Sequence, residues 1–307
     1  MRIAVTGSSG LVGTALVAAL GRRGDEVVCL VRGDDGSPAT ARWDPEAGSI
    51  DAAALEGCDA VVHLAGAGIG EARWTPERKR LILESRTRGT DLLARALAGL
   101  AAPPGVLVSG SAVGWYGARG SEECTEESPP PTAPDFAADV CRQWEAATAP
   151  AEEAGIRTVH LRTGIVLAAH GGALARMLLP FRLGLGGRIG RGDQYMSWVA
   201  LDDEVGAILH AIATPGLHGP LNATGPEPVT NRDVTKALGR VLHRPTVLPT
   251  PVVALRALYG SELVEHLLLQ GQRVLPARLV ATGYDFAQRT VEDALRAALP
   301  GRAPARS

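Results

Sequence analysis

Glycines 7, 10 and 13 make the most specific chemical statement in this chain. They lie in Thr6-Gly7-Ser8-Ser9-Gly10-Leu11-Val12-Gly13, after an apolar run at 3–5 and before a stretch of helical periodicity at 12–23 that stops at Gly24. Glycine at 7 permits a tight turn, glycine at 10 lets the backbone approach a ligand, and glycine at 13 lets the helix pack close to the strand. The helix start behind such a loop presents free N–H groups and the positive end of a dipole, which suits a pyrophosphate. A strand before and a helix after separate this pattern from an incidental glycine cluster. Gly7, Ser9, Gly10, Leu11, Val12 and Gly13 are therefore candidates for holding a dinucleotide.

Which dinucleotide depends on the end of the second strand, predicted over 26–31. An acid there binds a ribose 2′-hydroxyl, whereas an arginine favours a 2′-phosphate. Arg32 stands at that point and Arg42 follows, so the expected cofactor is NADP(H). Asp34 and Asp35 blur the assignment, and a solvated arginine at a strand end is the plainer alternative. The third predicted strand, 59–64, runs into His63-Leu64-Ala65-Gly66-Ala67-Gly68. Leu64, Ala65 and Gly66 would let the backbone pass close to the adenosine and its ribose. His63 reads as a partly buried strand residue rather than a catalytic one.

Arg73, Trp74, Lys79 and Arg86 form a basic cluster with an aromatic. Lys79 and Arg86 are seven apart on a predicted helix and share a face. They suit a cofactor phosphate or an acidic substrate; equally, they form a charged helix surface with Glu77 and Glu84 to pair with. The glycine-rich segment 184–196, with Arg188 and Arg191, has the composition of a mobile lid.

The elements that must position these groups alternate. Helices are predicted over 76–100 and 135–153, and strands over 106–109 and 157–161. Nearly continuous apolar strands alternating with helices imply a parallel sheet covered on both faces, hence an α/β, doubly wound (Rossmann) fold. The second half is less regular, with helices predicted over 173–182, 202–213 (capped by Asp202) and 231–242 (capped by Thr230 or Asn231). The expected organisation is a Rossmann domain over 1–168 with 196–218 returning to it. A small C-terminal substrate lobe covers 169–195 and 219–299, with a cleft between the two, and 300–307 form a disordered tail.

Composition narrows the class. The 307 residues are 46% hydrophobic and 21% charged with a net charge of −2, enough for a sizeable core and without a basic excess for nucleic acid or anionic membrane. No apolar run reaches a membrane span, and MRIAVTG begins a strand with no signal-peptide architecture. The four cysteines are scattered, with no metal-ligand spacing, so a reduced cytoplasmic compartment is expected and no metal site.

Taken in order, VTGSSGLVG at 5–13, LAGAGI at 64–69, RWTPERKRLILESRTRGT at 73–90, SGSAVGWYG at 109–117, DFAADVCRQWE at 135–145, LRTGIVLA at 161–168, MSWVALDDEVGAI at 196–208, NATGPEPVTNRD at 222–233 and LLLQGQRVLPARL at 267–279 resemble an extended short-chain dehydrogenase/reductase. More narrowly, the chain is similar to an atypical branch labelled "epimerase family protein" or SulA-like nucleoside-diphosphate-sugar epimerase. The resemblance spans essentially the whole chain and implies NADP(H). Typical members use a Ser or Thr with a Tyr-x-x-x-Lys pair, in which the lysine lowers the tyrosine pKa and holds the nicotinamide ribose. Counting back from Trp144-Glu145, the tyrosine position falls on Ala137 and the lysine position on Cys141; no Tyr-x-x-x-Lys occurs anywhere.

What remains for chemistry is Ser111, which matches the family's Ser/Thr; Tyr116, the best surviving phenol; and Cys141, expected beside the nicotinamide. Glu145 lies one turn after Cys141 on the same face. Each has a plainer structural reading: a strand-end serine, a pocket-shaping aromatic, a buried inert thiol. The resemblance points Arg162 into the substrate cleft and places Trp198 at a strand-to-helix junction beneath it. These residues support an oxidoreductase acting on a small carbonyl or alcohol, as a monomer or homodimer. A non-catalytic NADP(H)-binding redox sensor or regulator and a nucleotide-sugar epimerase are the alternatives.

Overall fold

The computed structural model describes residues 1–33, 37 and 39–299. The readings of Asp34, Asp35 and the tail 300–307 therefore lie outside the described residues. The chain divides into two compact units, each described by itself.

The first unit holds Met1–Gly117, Pro129–Arg162 and Val205–Leu221. Its strands are β1 (Arg2–Thr6), β2 (Glu26–Val31), β3 (Thr40–Asp44), β4 (Ser49–Ile50), β5 (Ala60–His63), β6 (Val106–Ala112), β7 (Arg157–Thr163) and β8 (Gly219–Ala223), the last two ending one and two residues past the unit's bounds. They form one sheet in the order β8-β7-β6-β5-β1-β2-β3-β4. β1 pairs in parallel with β2 on one side and β5 on the other, and β5 pairs in parallel with β6. Strand order therefore reverses at β1, the switch point where α/β sheets bind ligands beyond the carboxyl ends of their strands. Ile3, Ala4, Val5, Val61 and Val62 are fully buried, as expected of strands covered on both faces.

The helices of this unit are α1 (Leu11–Arg23), α2 (Pro76–Ala98), α3 (Phe136–Ala146) and α4 (Ala149–Glu153). α1 ends at Gly24 in the left-handed conformation, where glycine carries no Cβ penalty. α2 starts at Thr75, whose side chain accepts from the Arg78 N–H, with Pro76 in the first turn. The single helix predicted over 135–153 is two. Asp135 caps α3, the Thr148 hydroxyl turns back onto the Glu145 carbonyl at 2.7 Å, and Pro150 opens α4. β3 and β4 were not predicted, because each is short and only Ala41 and Trp43 of β3 are buried. β6 runs to Ala112, three residues past its predicted end, so Ser111 is a strand residue.

The second unit holds Ala118–Ser128, Thr163–Glu204 and the chain from Asn222 on. Residues 118–128 belong to it because Glu123–Cys124 pairs in parallel with Arg273–Val274. Residues 163–168 do so because Ile165–Leu167 pairs with Trp198–Ala200. The helix Leu201–Ala213 begins one residue before the prediction, so Asp202 lies in its acidic first turn instead of capping it. Thr230 caps the helix Asn231–Leu242. In the same unit the Thr163 hydroxyl donates to Glu204 at 2.7 Å, and burial pushes that carboxyl up to about 8.

Candidate functional site

The turn after β1 is shaped by what a side chain would strike. Gly7 sits at φ +69°, and a Cβ there would come within 2.8 Å of the Leu64 carbonyl carbon. A Cβ at Gly13 would meet the Gly7 carbonyl oxygen at 2.1 Å, which no relaxation of a side chain could relieve. Gly10 is the N-cap of α1, with no side-chain cap and no acid in the first turn. The first N–H groups of α1 thus have no intrahelical acceptor and no capping carboxylate. Ser9 and Gly10 are exposed, and Leu11 and Val12 are half-buried. This is a backbone cradle with donors free for a pyrophosphate.

Beneath it lies a hydrogen-bonded clamp that the sequence reading missed. Thr6 Oγ1 accepts from the N–H groups of Leu64 and Ala65, at 3.1 and 3.3 Å. Its own proton therefore goes to His63 Nδ1 at 2.7 Å, which leaves His63 Nε2 as the donor to Thr90 Oγ1 at 2.9 Å. His63 is fully buried, not partly so, and burial, with the nearby Arg86 charge, pulls it down to about 4. A neutral imidazole thus ties the ends of β1 and β5 to α2. The signal in the sequence was a histidine between Val62 and Leu64 at the end of an apolar strand.

Arg32 is exposed just beyond β2, and Arg42 is exposed on β3. Gly66 packs on Arg86, whose Nη1 donates to the Ala67 and Ile82 carbonyls at 2.8 and 3.1 Å. Arg86 also stacks over Trp144 on α3, its guanidinium carbon 4.8 Å from the ring centroid. Lys79 lies 5.0 Å from the Phe136 ring, and Trp74 packs edge-on against Phe136. The face that Lys79 and Arg86 share therefore packs on α3.

A second constellation occupies the ends of β6 and β7. The Ser111 hydroxyl donates to Glu145 Oε1 at 2.6 Å. Arg162 grips both oxygens of the same carboxylate, Nε to Oε1 at 2.8 Å and Nη2 to Oε2 at 2.9 Å. Its remaining arm donates from Nη1 to the Tyr116 hydroxyl at 3.0 Å, and the guanidinium lies 3.9 Å from the Trp115 ring centroid. Ser111, Tyr116, Glu145 and Arg162 are all buried. Behind Glu145, His160 Nδ1 is 3.8 Å from Oε2, and His160 Nε2 is 3.1 Å from Glu152, whose side chain is half exposed.

This arrangement bears on four of the expected site residues. Tyr116 is fully buried with its hydroxyl on Arg162, so it braces the arginine and is no open proton donor. Arg162 is spent on Glu145, Tyr116 and Trp115, so it organises the network from within. Cys141 donates to the Ala112 carbonyl at 3.6 Å, and burial, reinforced by the Glu145 charge, pushes its thiol up to about 12. A buried thiol held that high supplies little thiolate near neutrality, which favours the inert reading of Cys141. Trp198, in the second unit, is 1% exposed in a cluster with Leu174, Phe181 and Leu238 and donates its indole N–H to the Glu227 carbonyl. It is a core residue. Glu145 is the group that the sequence reading undervalued. Arg162 lies near the end of a largely buried strand, and a buried guanidinium requires a buried partner; which carboxylate supplies it was not readable from the sequence.

Residues 3–222 match the NAD dependent epimerase/dehydratase family, and residues 250–298 match a domain of unknown function, DUF1731. The chain is similar to epimerase family protein Mb2239 of Mycobacterium bovis, 44% identical over 293 residues, 95% of this chain and 96% of that protein. It is similar to the crystal structure of human epimerase family protein SDR39U1 (isoform 2) with NADPH, at 36% identity and a TM-score of 0.88, covering 97% of this chain and 99% of that one. It also resembles the nucleoside-diphosphate sugar epimerase from Corynebacterium glutamicum, at 38% identity and a TM-score of 0.79, covering 97% of this chain and 58% of that one. With the glycine cradle at the switch point and relatives matched along nearly its whole length, the chain belongs to the NAD dependent epimerase/dehydratase family, among the atypical extended short-chain dehydrogenase/reductases of SDR39U1 type.

Proposed function

We propose that this chain is an NADP(H)-dependent oxidoreductase acting on a small carbonyl or alcohol in a reduced, cytoplasmic compartment. The observation that carries the reading is the cradle at Gly7, Gly10 and Gly13, closed against a side chain at Gly7 and Gly13 and open at the first N–H groups of α1. The NADPH in the human relative, the exposed Arg32 beyond β2 and the four free thiols support it. Bound NADP(H) supplies or accepts a hydride at nicotinamide C4.

The chain's own residues handle the proton. Ser111 has its single proton committed to Glu145, so its oxygen is left to accept. In alcohol oxidation a substrate hydroxyl gives its proton to Ser111 Oγ as the Ser111 proton passes to Glu145 Oε1. In reduction both transfers reverse. Arg162 holds the carboxylate in place for either direction. The test is NADPH binding by fluorescence titration, followed by a carbonyl panel at saturating NADPH. Turnover that vanishes in Ser111→Ala while NADPH affinity stays within about twofold is the expected result. Tight NADPH binding with no turnover across the panel would sink the oxidoreductase reading.

A binding protein without turnover, reporting NADP(H) redox state to a partner, is the second reading. It is favoured by the burial of Tyr116 and by the inert Cys141 thiol, and it predicts a partner whose capture depends on NADP⁺ versus NADPH. Epimerisation ranks last, because its support is the family name alone: the only acid–base pair beside the network among the described residues, His160 with Glu152, lies behind Glu145 and is tied to it.

A further inference from the structure

Arg86 differs from the other interior arginines around the site. Arg162 is neutralised by Glu145, and Arg78 by Glu71. Arg86 is half-buried, yet its only acceptors among the described residues are two backbone carbonyls, both taken by Nη1. The three N–H groups on Nε and Nη2 make no hydrogen bond among the described residues. That Nε/Nη2 edge is a planar fork of parallel donors, the shape that matches two oxygens of a phosphate or a pair of vicinal acceptors. No carboxylate is paired directly with Arg86, and Glu71 acts on it only at a distance; a partly buried cation of this kind is costly unless a ligand supplies a paired charge.

The position of the fork identifies the ligand group. Gly66 and Ala67, on which Arg86 rests, follow β5, the neighbour of β1 on the side away from β2. A dinucleotide laid across the switch point has its adenine half toward β2, where Arg32 stands, and its nicotinamide half toward β5 and β6. Arg86 also lies over Trp144, one helical turn from Cys141 on the same face of α3. Cys141 occupies the position at which the family's lysine would hold the nicotinamide ribose. The Arg86 charge reaches that thiol and opposes its rise.

We propose that Arg86, supplied by α2, takes the place of the missing lysine: its free Nε/Nη2 edge binds the nicotinamide-side phosphoribosyl group of the cofactor. The assignment rests on the NADP(H) reading above and deepens it. It makes Arg86 a binding residue for one half of the cofactor only.

The experiment compares wild type, Arg86→Gln and Arg86→Lys for two probes, NADPH and 2′,5′-ADP, which carries the adenine half alone. Calorimetric titration of Arg86→Gln should show NADPH affinity about 10- to 100-fold weaker, the size of a lost pair of charge-assisted hydrogen bonds. Affinity for 2′,5′-ADP should stay within about twofold, and Arg86→Lys should recover part of the NADPH loss. Equal weakening of both probes overturns the proposal, because it assigns Arg86 to holding the 66–67 loop in general. An Arg86→Gln protein that binds NADPH as wild type does also overturns it. A wild type that binds neither probe overturns instead the NADP(H) reading on which the assignment rests.

Discussion

Two regions on the first unit's sheet, the glycine cradle after β1 and the Ser111–Glu145–Arg162–Tyr116 network at the ends of β6 and β7, are made of different materials. The cradle is backbone. Its floor is a neutral chain from Thr90 through His63 to Thr6 and the Leu64 and Ala65 amides. The network is side chain, with a carboxylate and a guanidinium buried together and hydroxyls on either flank. A backbone site fails by steric intrusion or by charging its neutral support. A charged network fails when one ion loses the other. The two regions should therefore answer substitution and pH in separate ways.

The largest effect is expected in the network. Arg162→Met leaves Glu145 buried without its cation and should cost about 3–5 kcal/mol of stability, read by denaturant unfolding. If the cradle is independent, the folded fraction keeps its NADPH affinity; a cost below about 1 kcal/mol would mean that water already screens the pair.

The next effect belongs to the cradle and is driven by pH. His63 is held neutral in the folded protein down to about 4, whereas the unfolded chain protonates it near 6.5. The unfolded state therefore binds more protons between those values. The stabilisation is complete above about pH 6.5 and is lost as pH falls toward 4, to the extent of about 3 kcal/mol. Denaturation midpoints between pH 4 and 7 should follow this fall, and His63→Asn should flatten it. An unchanged slope in the variant would remove His63 as the support.

Gly13→Ala should cost about 2 kcal/mol, since its Cβ meets the Gly7 carbonyl, and should abolish NADPH binding. Calorimetry alongside thermal melting separates the two losses. Retained NADPH binding would show that the loop adjusts and that the close packing is not what shapes the site. The smallest effect is expected at Cys141→Ala, about 1 kcal/mol from lost packing with no change in turnover or in sensitivity to thiol reagents at pH 8. Inactivation of wild type by such a reagent, with the variant resistant, would reinstate the thiol as a functional group.

The same contrast explains how much could be read in advance. The turn at Gly7, Gly10 and Gly13, β1, β2 and most helix bounds follow from neighbours in the chain, because turn chemistry, caps and apolar runs are local. The place of Arg32 just beyond β2 was readable for the same reason, at the end of a recognisable strand. The break between α3 and α4 escaped because Thr148 acts through its fold back onto Glu145, and no residue type marks that. The short strand β3 escaped because its burial depends on what the sheet places beside Trp43.

Ser111, Tyr116, Cys141 and Arg162 were all visible as residue types, yet the partners that define their surroundings were not. Ser111 and Glu145 are 34 positions apart, and Arg162 lies another 17 beyond. Which carboxylate meets which guanidinium, whether a thiol is desolvated, and which donors of Arg86 are left over depend on distances between elements far apart in the chain. Burial and Coulomb energies change steeply with those distances. Short-range spacing was sufficient for the cradle and the type of fold. The Ser111–Glu145–Arg162 network and the open edge of Arg86 emerged from packing, where charge, solvent and geometry are settled together.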